Sequence, residues 1–482
     1  MAFLLADMKA IRLFLCLAVI SAGITTGYAQ DKVIREVLEK GRTDNRTMEH
    51  ADYLANRIGG RIVGSGALEE AERWVAAQFR SWGLEVMVQE AGEINVGFER
   101  GPWSGRMLSE DGMVLHFGTP SYTAGTKGPQ KGHVVIEPHS KREFDRIKGR
   151  LKGAWVLVDK VSTGWPIDWK EQTDTLFYNE MAEAGVLGFI QKADLHMTLL
   201  YDRKHCYELT PDDLPTVCDI KLDPEQFDII HRKAEEKRDF LLEFDIRNHF
   251  RVGPVKYHNV IGILRGKKHP DEYVLLGAHL DAYDCATGAV DDGNGTAVTM
   301  EAARLLASSG ARPDRSIMFC IWTAEEFGLY GSKCFVESKT VPYDKISNYF
   351  NRDGGPTLTT SITVPQAMYD DFVKVCKPIM NYVEDAPFTV DIRQGEPGPR
   401  PEKAGGSDHA YFALNGIPTI SFRESDPYGF GFDYREIWHT EKDRYNKLIP
   451  EYMEPSAVIN AVVAYGLANL DHLLSREGLY SN

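Results

Sequence analysis

Two stretches, "EYVLLGAHLD" (272–281) and "RSIMFCIWTAEE" (315–326), run apolar without alternation and then break abruptly into histidine and carboxylates. A strand with one wet face alternates, whereas a short continuous apolar run belongs to a strand covered on both faces. With "NVIGILRG", "GTAVTMEAARLLASSG" and "IPTISFRE", these segments alternate apolar strands with helical spacing, the pattern of a sheet sandwiched by helices. The expected fold class is α/β, with a mixed, largely parallel sheet.

Upstream, residues 31–60 contain a helical stretch. "GALEEAERWVAAQFRSWGL" has apolar residues at helical spacing, with Gly83 where a helix should stop, and "LEVMVQE" follows as a strand. From about Gly92 to about Val252 the texture changes to short strands such as "HVVIEP" and "AWVLVDK", broken by Gly, Pro and charged residues. This reads as an inserted, strand-rich domain over 93–252, splitting a main domain into 31–92 and 253–482. The C-terminal "EPSAVINAVVAYGLANLDHLL" reads as a long amphipathic helix.

At the N-terminus, Lys9 and Arg12 precede the apolar "LFLCLAVISAGI" and the small-residue stretch ending "TGYAQ". This is the pattern of a secretory signal over residues 1–30, so the mature chain is expected to be secreted or periplasmic, with no membrane span. Loss of that segment removes Cys16 and leaves Cys206, Cys218, Cys285, Cys320, Cys334 and Cys376, an even number for an oxidising compartment. Cys206 and Cys218 bracket a loop that a disulfide would close, while Cys320 reads as a buried thiol. A net charge of -15 argues against nucleic acid as a partner, because phosphate neutralisation needs clustered Lys and Arg.

In open α/β sheets ligands bind beyond the carboxyl ends of strands. His279 and Asp281 follow "YVLLGA", Asp291 and Asp292 open a Gly-rich turn before a helix, and Glu325 and Glu326 follow "IMFCIWTA". Asp353 follows "ISNYFNR", and His439 follows "YREIW". Crowded carboxylates repel and raise one another's pKa unless a cation neutralises them. Imidazole nitrogen and carboxylate oxygen suit zinc, and a two-metal hydrolase needs one bridging carboxylate, terminal ligands on each metal and a free carboxylate as base. This inventory is present. Asp281 is placed to hold the His279 ring through a hydrogen bond from beyond the ligand shell.

"GAHLD", "GAVDDGNGTA", "TAEEFGLYGS", "NRDGG", "GGSDHAYFALNGIP" and "WHTEKD" occur in an order that resembles the co-catalytic di-zinc exopeptidases, the family of secreted bacterial aminopeptidases and glutamate carboxypeptidase. "GGRIVGSGALEEAERWVAAQFRSWGLEV" and "GFERGPWSG" look most like its carboxypeptidase Q branch. The resemblance implies two Zn2+ per chain, one held by His279 and Asp353, the other by Glu326 and His439, with Asp291 bridging and Glu325 as general base. It also implies a cis peptide between Asp291 and Asp292, and a protease-associated-like insert forming a lid or wall. The substrate would be a dipeptide or short peptide cleaved by an aminopeptidase or dipeptidase. A carboxypeptidase of the carboxypeptidase Q type, or a glutaminyl cyclase-like enzyme, are the alternatives. Trp438 stands where several members carry a tyrosine or histidine that steadies the oxyanion, so that donor is left unassigned. Direct substrate contact by Asp408 or His409 stays open, Cys285 reads as a lining residue, and oligomeric state is open, a homodimer included.

Overall fold

The computed structural model describes residues 30–109, 112–159, 177–193 and 208–481. The signal segment, apart from its last residue, and Cys206 lie outside them. A five-stranded mixed sheet has the spatial order Glu85–Glu99, His249–Leu264, Arg315–Trp322, His269–His279, Ile346–Asn351. The first two strands form a long antiparallel ribbon, and the last three run parallel. Arg315–Trp322 is buried at every position, as its unbroken apolar run predicts.

Successive side chains on these strands enter different cores, as the twofold period of a strand requires. Val274, Leu276, Ile317, Phe319 and Ile321 join one cluster, covered by the helices Gly66–Ser81, Gly293–Ser308 and Pro450–Ala468. Leu275, Met318, Cys320, Trp322 and Tyr349 join another, covered by Tyr330–Glu337 and His409–Leu414. Gly277 is needed where it stands. A Cβ there would meet the Tyr349 hydroxyl and the Trp322 indole nitrogen, which hydrogen-bond each other at 2.7 Å.

Pro450–Ala468 differs from the expected amphipathic helix, being buried along most of its length. It packs between Gly293–Ser308, Tyr369–Cys376 and the strand Leu358–Val364. Its Ala, Gly and Val side chains are small and apolar on every side, so no face needs water. "IPTISFRE" also differs, because Phe422–Ser425 joins a separate three-stranded sheet with Leu358–Val364 and Thr389–Ile392.

A seven-stranded sheet is built wholly from residues between 103 and 246. Four of its five inner strands, Gln130–Ile136, Ala154–Val158, Gly188–Lys192 and Cys218–Leu222, are mutually parallel, with separate clusters on its two faces. The expected boundaries at 92 and 253 fall inside the ribbon, whose pairing continues to Glu99 and His249. None of the described helices is long and apolar enough to cross a membrane.

Candidate metal centre

Register puts the chemistry in one row. His279 pairs with Trp322, and Gly277 pairs with Asn351, so the three parallel strands end side by side. The chain just beyond those ends supplies His279, Glu325 with Glu326, and Asp353. Asp292 caps the helix Gly293–Ser308, its Oδ1 accepting from Gly295 N at 2.9 Å while Oδ2 accepts from His279 N at 3.1 Å. A Cβ on Gly295 would collide with that carboxylate and with the Arg352 carbonyl, so the tight turn demands glycine. The Asp291–Asp292 peptide is cis.

Asp291 lies between the two histidines, with Oδ1 3.2 Å from His279 Nε2 and Oδ2 3.4 Å from His439 Nε2. His279 Nε2 is also 3.7 Å from Asp353 Oδ1, and His439 Nε2 is 2.9 Å from Glu326 Oε2. All five predicted ligands therefore converge around one carboxylate. The side chains of His279, Asp291 and Glu326 are almost wholly buried, those of Asp353 and His439 are 12% exposed, and His439 is held from a left-handed backbone conformation at φ 55°.

The donor set fits a cation. His279 Nδ1 faces the Asp281 carbonyl at 2.9 Å, which suits a proton on Nδ1. Burial opposes charge on the ring, but Glu325, Asp291 and Asp353 hold its pKa well above the usual value, so Nε2 stands where positive charge, a proton or a metal ion, is favoured. Lone pair against lone pair is repulsive unless a positive charge lies between them. Asp291 Oδ2, Glu326 Oε1 and His439 Nδ1 are buried without a hydrogen-bond partner. Burial lowers the His439 pKa to about 4 against the opposing pull of Asp291, so its ring is neutral and able to ligate at neutral pH.

Asp281 does something other than expected. Its carboxylate stands 3.8 Å from His279 Nδ1 and instead accepts the backbone N–H of Glu325 and of Glu326, each at 3.1 Å. The imidazole is held by the Asp281 backbone carbonyl, because the chain turns there and aims the side chain at the neighbouring strand end. Asp281 is thus a positioning residue for the Glu325–Glu326 turn. Burial pushes the Glu325 carboxyl well above its usual range, with His279 opposing and Asp353, Asp408 and Glu326 reinforcing the rise.

Asp443, Arg61 and Tyr283 support the cluster without being marked by the motifs, and Trp438 does so in a way they do not indicate. Asp443 accepts from Val290 N at 2.7 Å and Asp291 N at 3.1 Å, fixing the shared carboxylate from behind. Arg61, wholly buried, donates to the carbonyls of Leu280, Gly59, Thr287 and Gly288 and ties down the loop between His279 and Asp291. Burial lowers its pKa only to about 10, with the nearby aspartates opposing, so it stays cationic. Tyr283 and Trp438 clasp the His439 ring at centroid distances of 4.5 and 4.2 Å. "WHTEKD" and "GGRIVG" contain the signals for Asp443 and Arg61, but their recipients are remote in sequence. Asp408 is wholly buried and His409 half-buried; Cys285 is buried against Ala193 of the insert.

The model of Peptidase family M28 matches residues 259–463, which carry every residue of the cluster. The chain fits a co-catalytic zinc exopeptidase family. It is 26% identical to carboxypeptidase Q of Mus musculus over 458 residues, covering 92% of this chain and 90% of the relative. An M28 peptidase precursor from Shewanella amazonensis shares the fold with a TM-score of 0.62 at 22% identity, covering 93% of this chain and 98% of that one. BSAP, a zinc aminopeptidase from Bacillus subtilis, gives a TM-score of 0.55 at 18% identity, covering 90% and 97%. The chain is a zinc metallopeptidase of the exopeptidase kind.

Proposed function

We propose that the chain binds two zinc ions and removes a terminal residue from dipeptides or short peptides bearing a free α-amine. The observation that carries this reading is Asp291 set between His279 and His439, each with its own additional carboxylate. His279 and Asp353 would hold one ion, Glu326 and His439 the other, and Asp291 both. Bound zinc supplies a Lewis acid for the scissile carbonyl and lowers the pKa of water. Glu325 takes the proton from the attacking water on its carboxylate oxygen and returns it to the departing amine nitrogen. Asp281 holds the Glu325 backbone so that this carboxylate faces the cluster. Asp443 and Arg61 keep the loop of Asp291 in place through both steps.

Recognition of an amine is favoured by the charges around the cluster. The nearby arginines are already committed, Arg61 to four carbonyls, Arg100 to Asp284 at 2.8 Å, and Arg352 to Glu424. Carboxylates outnumber them, and a substrate ammonium is the ion such a pocket attracts. A carboxypeptidase is the second reading, favoured by the relatives named carboxypeptidase Q that match 92% of this chain. The insert, taken as 93–252, serves as a wall over the site; Ser121 donates to Asp284 at 2.7 Å and Tyr122 donates to the Val63 carbonyl at 2.6 Å. Export after loss of residues 1–30 completes the proposal, and intact-mass measurement of the mature chain tests it.

The test is a dipeptide and tripeptide panel with and without N-terminal acetylation, read by mass spectrometry, beside metal analysis. Loss of cleavage on acetylation together with two zinc per chain is expected. Removal of the last residue from acetylated peptides overturns the amine reading in favour of the carboxypeptidase, and one zinc per chain overturns the two-metal centre.

A further inference from the structure

A cavity with cationic walls lies against the five-stranded sheet, and none of its lining residues belongs to the metal cluster. The helix Gly66–Ser81 packs on the strand His249–Leu264, and the two line a space of about 610 Å³. From the helix, Glu69, Glu72, Arg73, Ala76 and Arg80 face it at helical spacing; from the strand, Pro254, Lys256 and His258 face it at every second residue. Arg251 adds a fourth cation, in a chain whose net charge is -15.

Both carboxyl groups in the lining are engaged. Glu69 Oε1 pairs with Arg251 Nη2 at 2.9 Å. Glu72 is nearly buried, with Oε1 accepting from His258 N at 2.8 Å and Oε2 3.0 Å from His258 Nδ1. Burial raises its pKa to about 7, with His258 opposing, so below that pH the pair holds an extra proton between Oε2 and Nδ1. The Nε2 atom then carries the remaining ring N–H, and no described residue accepts it. The guanidinium groups of Arg73 and Arg80, both exposed, likewise have no hydrogen bond or ion pair among the described residues. Lys256 donates to Glu90 at 2.7 Å and keeps its other N–H groups.

Unused donors from four side chains thus face one cavity, with a field of positive sign. A guanidinium fork matches two phosphate oxygens at once, and a phosphate monoester has three terminal oxygens to share among such donors, against two for a carboxylate. Val88 and Pro254, both exposed, give the same cavity an apolar wall. We propose that this cavity binds a phosphate monoester carrying an apolar group, with Arg73 and Arg80 forking the phosphate, His258 and Lys256 donating to its remaining oxygen, and the apolar group resting on Val88 and Pro254. The site is separate from the metal centre, and peptide turnover does not depend on it.

The test is calorimetric titration of the zinc-loaded full chain with phenyl phosphate in mildly acidic buffer of fixed ionic strength, beside inorganic phosphate and phenol. Phenyl phosphate is expected to bind most tightly, inorganic phosphate more weakly and phenol not at all; absence of phenyl phosphate binding overturns the proposal. In the double variant Arg73→Gln, Arg80→Gln, which changes only exposed side chains, affinity should fall by about tenfold or more, with kcat/KM on a dipeptide unchanged in phosphate-free buffer. Equal affinity in wild type and the double variant would put the anion on the zinc ions and refute the site. The charge-keeping variant Arg73→Lys, Arg80→Lys should recover only part of the loss, since an ammonium lacks the fork. Full recovery would overturn the forked contact.

Discussion

The five-stranded and seven-stranded sheets both finish parallel strands with histidine and carboxylate residues, yet they bury them differently. At the five-stranded sheet, His279, Asp281 and Asp291 are almost wholly buried and braced by Asp292, Asp443 and Arg61. At the seven-stranded sheet, the side chains of His139 and Asp159 are about half exposed; Asp159 pairs with His139 and His231, and the backbone N–H groups of His139 and Asp159 donate to Glu143 and Glu137. Burial removes competing water and strengthens every charge interaction, which reactive chemistry requires; exposure leaves the same residue types able to cross-link and little more. The residue inventory alone does not separate a catalytic centre from a structural one. The bracing does.

Removing the carboxylate proposed as general base is the severest way to sharpen that contrast. Glu325→Gln should lower kcat by about 10²–10⁴-fold while zinc content stays unchanged, measured by steady-state kinetics and elemental analysis. Bracing is tested next. Asp443→Ala frees the N–H groups of Val290 and Asp291 and should cost roughly 10–100-fold in zinc affinity or activity, read by chelator competition. Arg61→Met leaves several carbonyls without a donor and should destabilise the fold by about 3 kcal/mol in urea melts. A comparable loss from an exposed arginine of the insert would break the comparison.

The smallest effect concerns Glu72, which accepts from the His258 backbone at 2.8 Å and faces its Nδ1 at 3.0 Å. Burial raises its pKa from 4.5 to about 7, with His258 opposing. The folded state therefore holds a proton that the unfolded state releases, so this contribution is full below pH 4.5 and is lost as pH rises through 7. Glu72→Gln should remove that slope. Wild type should lose up to about 3 kcal/mol relative to the variant between pH 4.5 and 7.5, by urea melts at each pH.

Much of the metal cluster was legible because each ligand stands just after an apolar run or at a helix start, and register does the rest. Asp443 and Arg61 act on backbone atoms of a loop remote from them in sequence, and no local pattern announces such a partner. For Asp281, spacing placed the residue beside His279, but the turn of the chain decided that its carbonyl and not its carboxylate meets the ring. Pro450–Ala468 was misread since alanine and glycine satisfy a helical period while packing equally on all sides.

The Arg100–Asp284 pair has a mechanical consequence. Asp284 lies in the loop between Asp281 and Asp291, and Arg100 Nη1 also donates to Thr119 at 2.8 Å, next to the strand Phe117–Gly118 of the insert. A swing of the insert away from the main sheet must either extract a buried guanidinium from its carboxylate or drag the catalytic loop along. The two bodies are geared together, so a peptide has to enter through a gap that this linkage leaves standing.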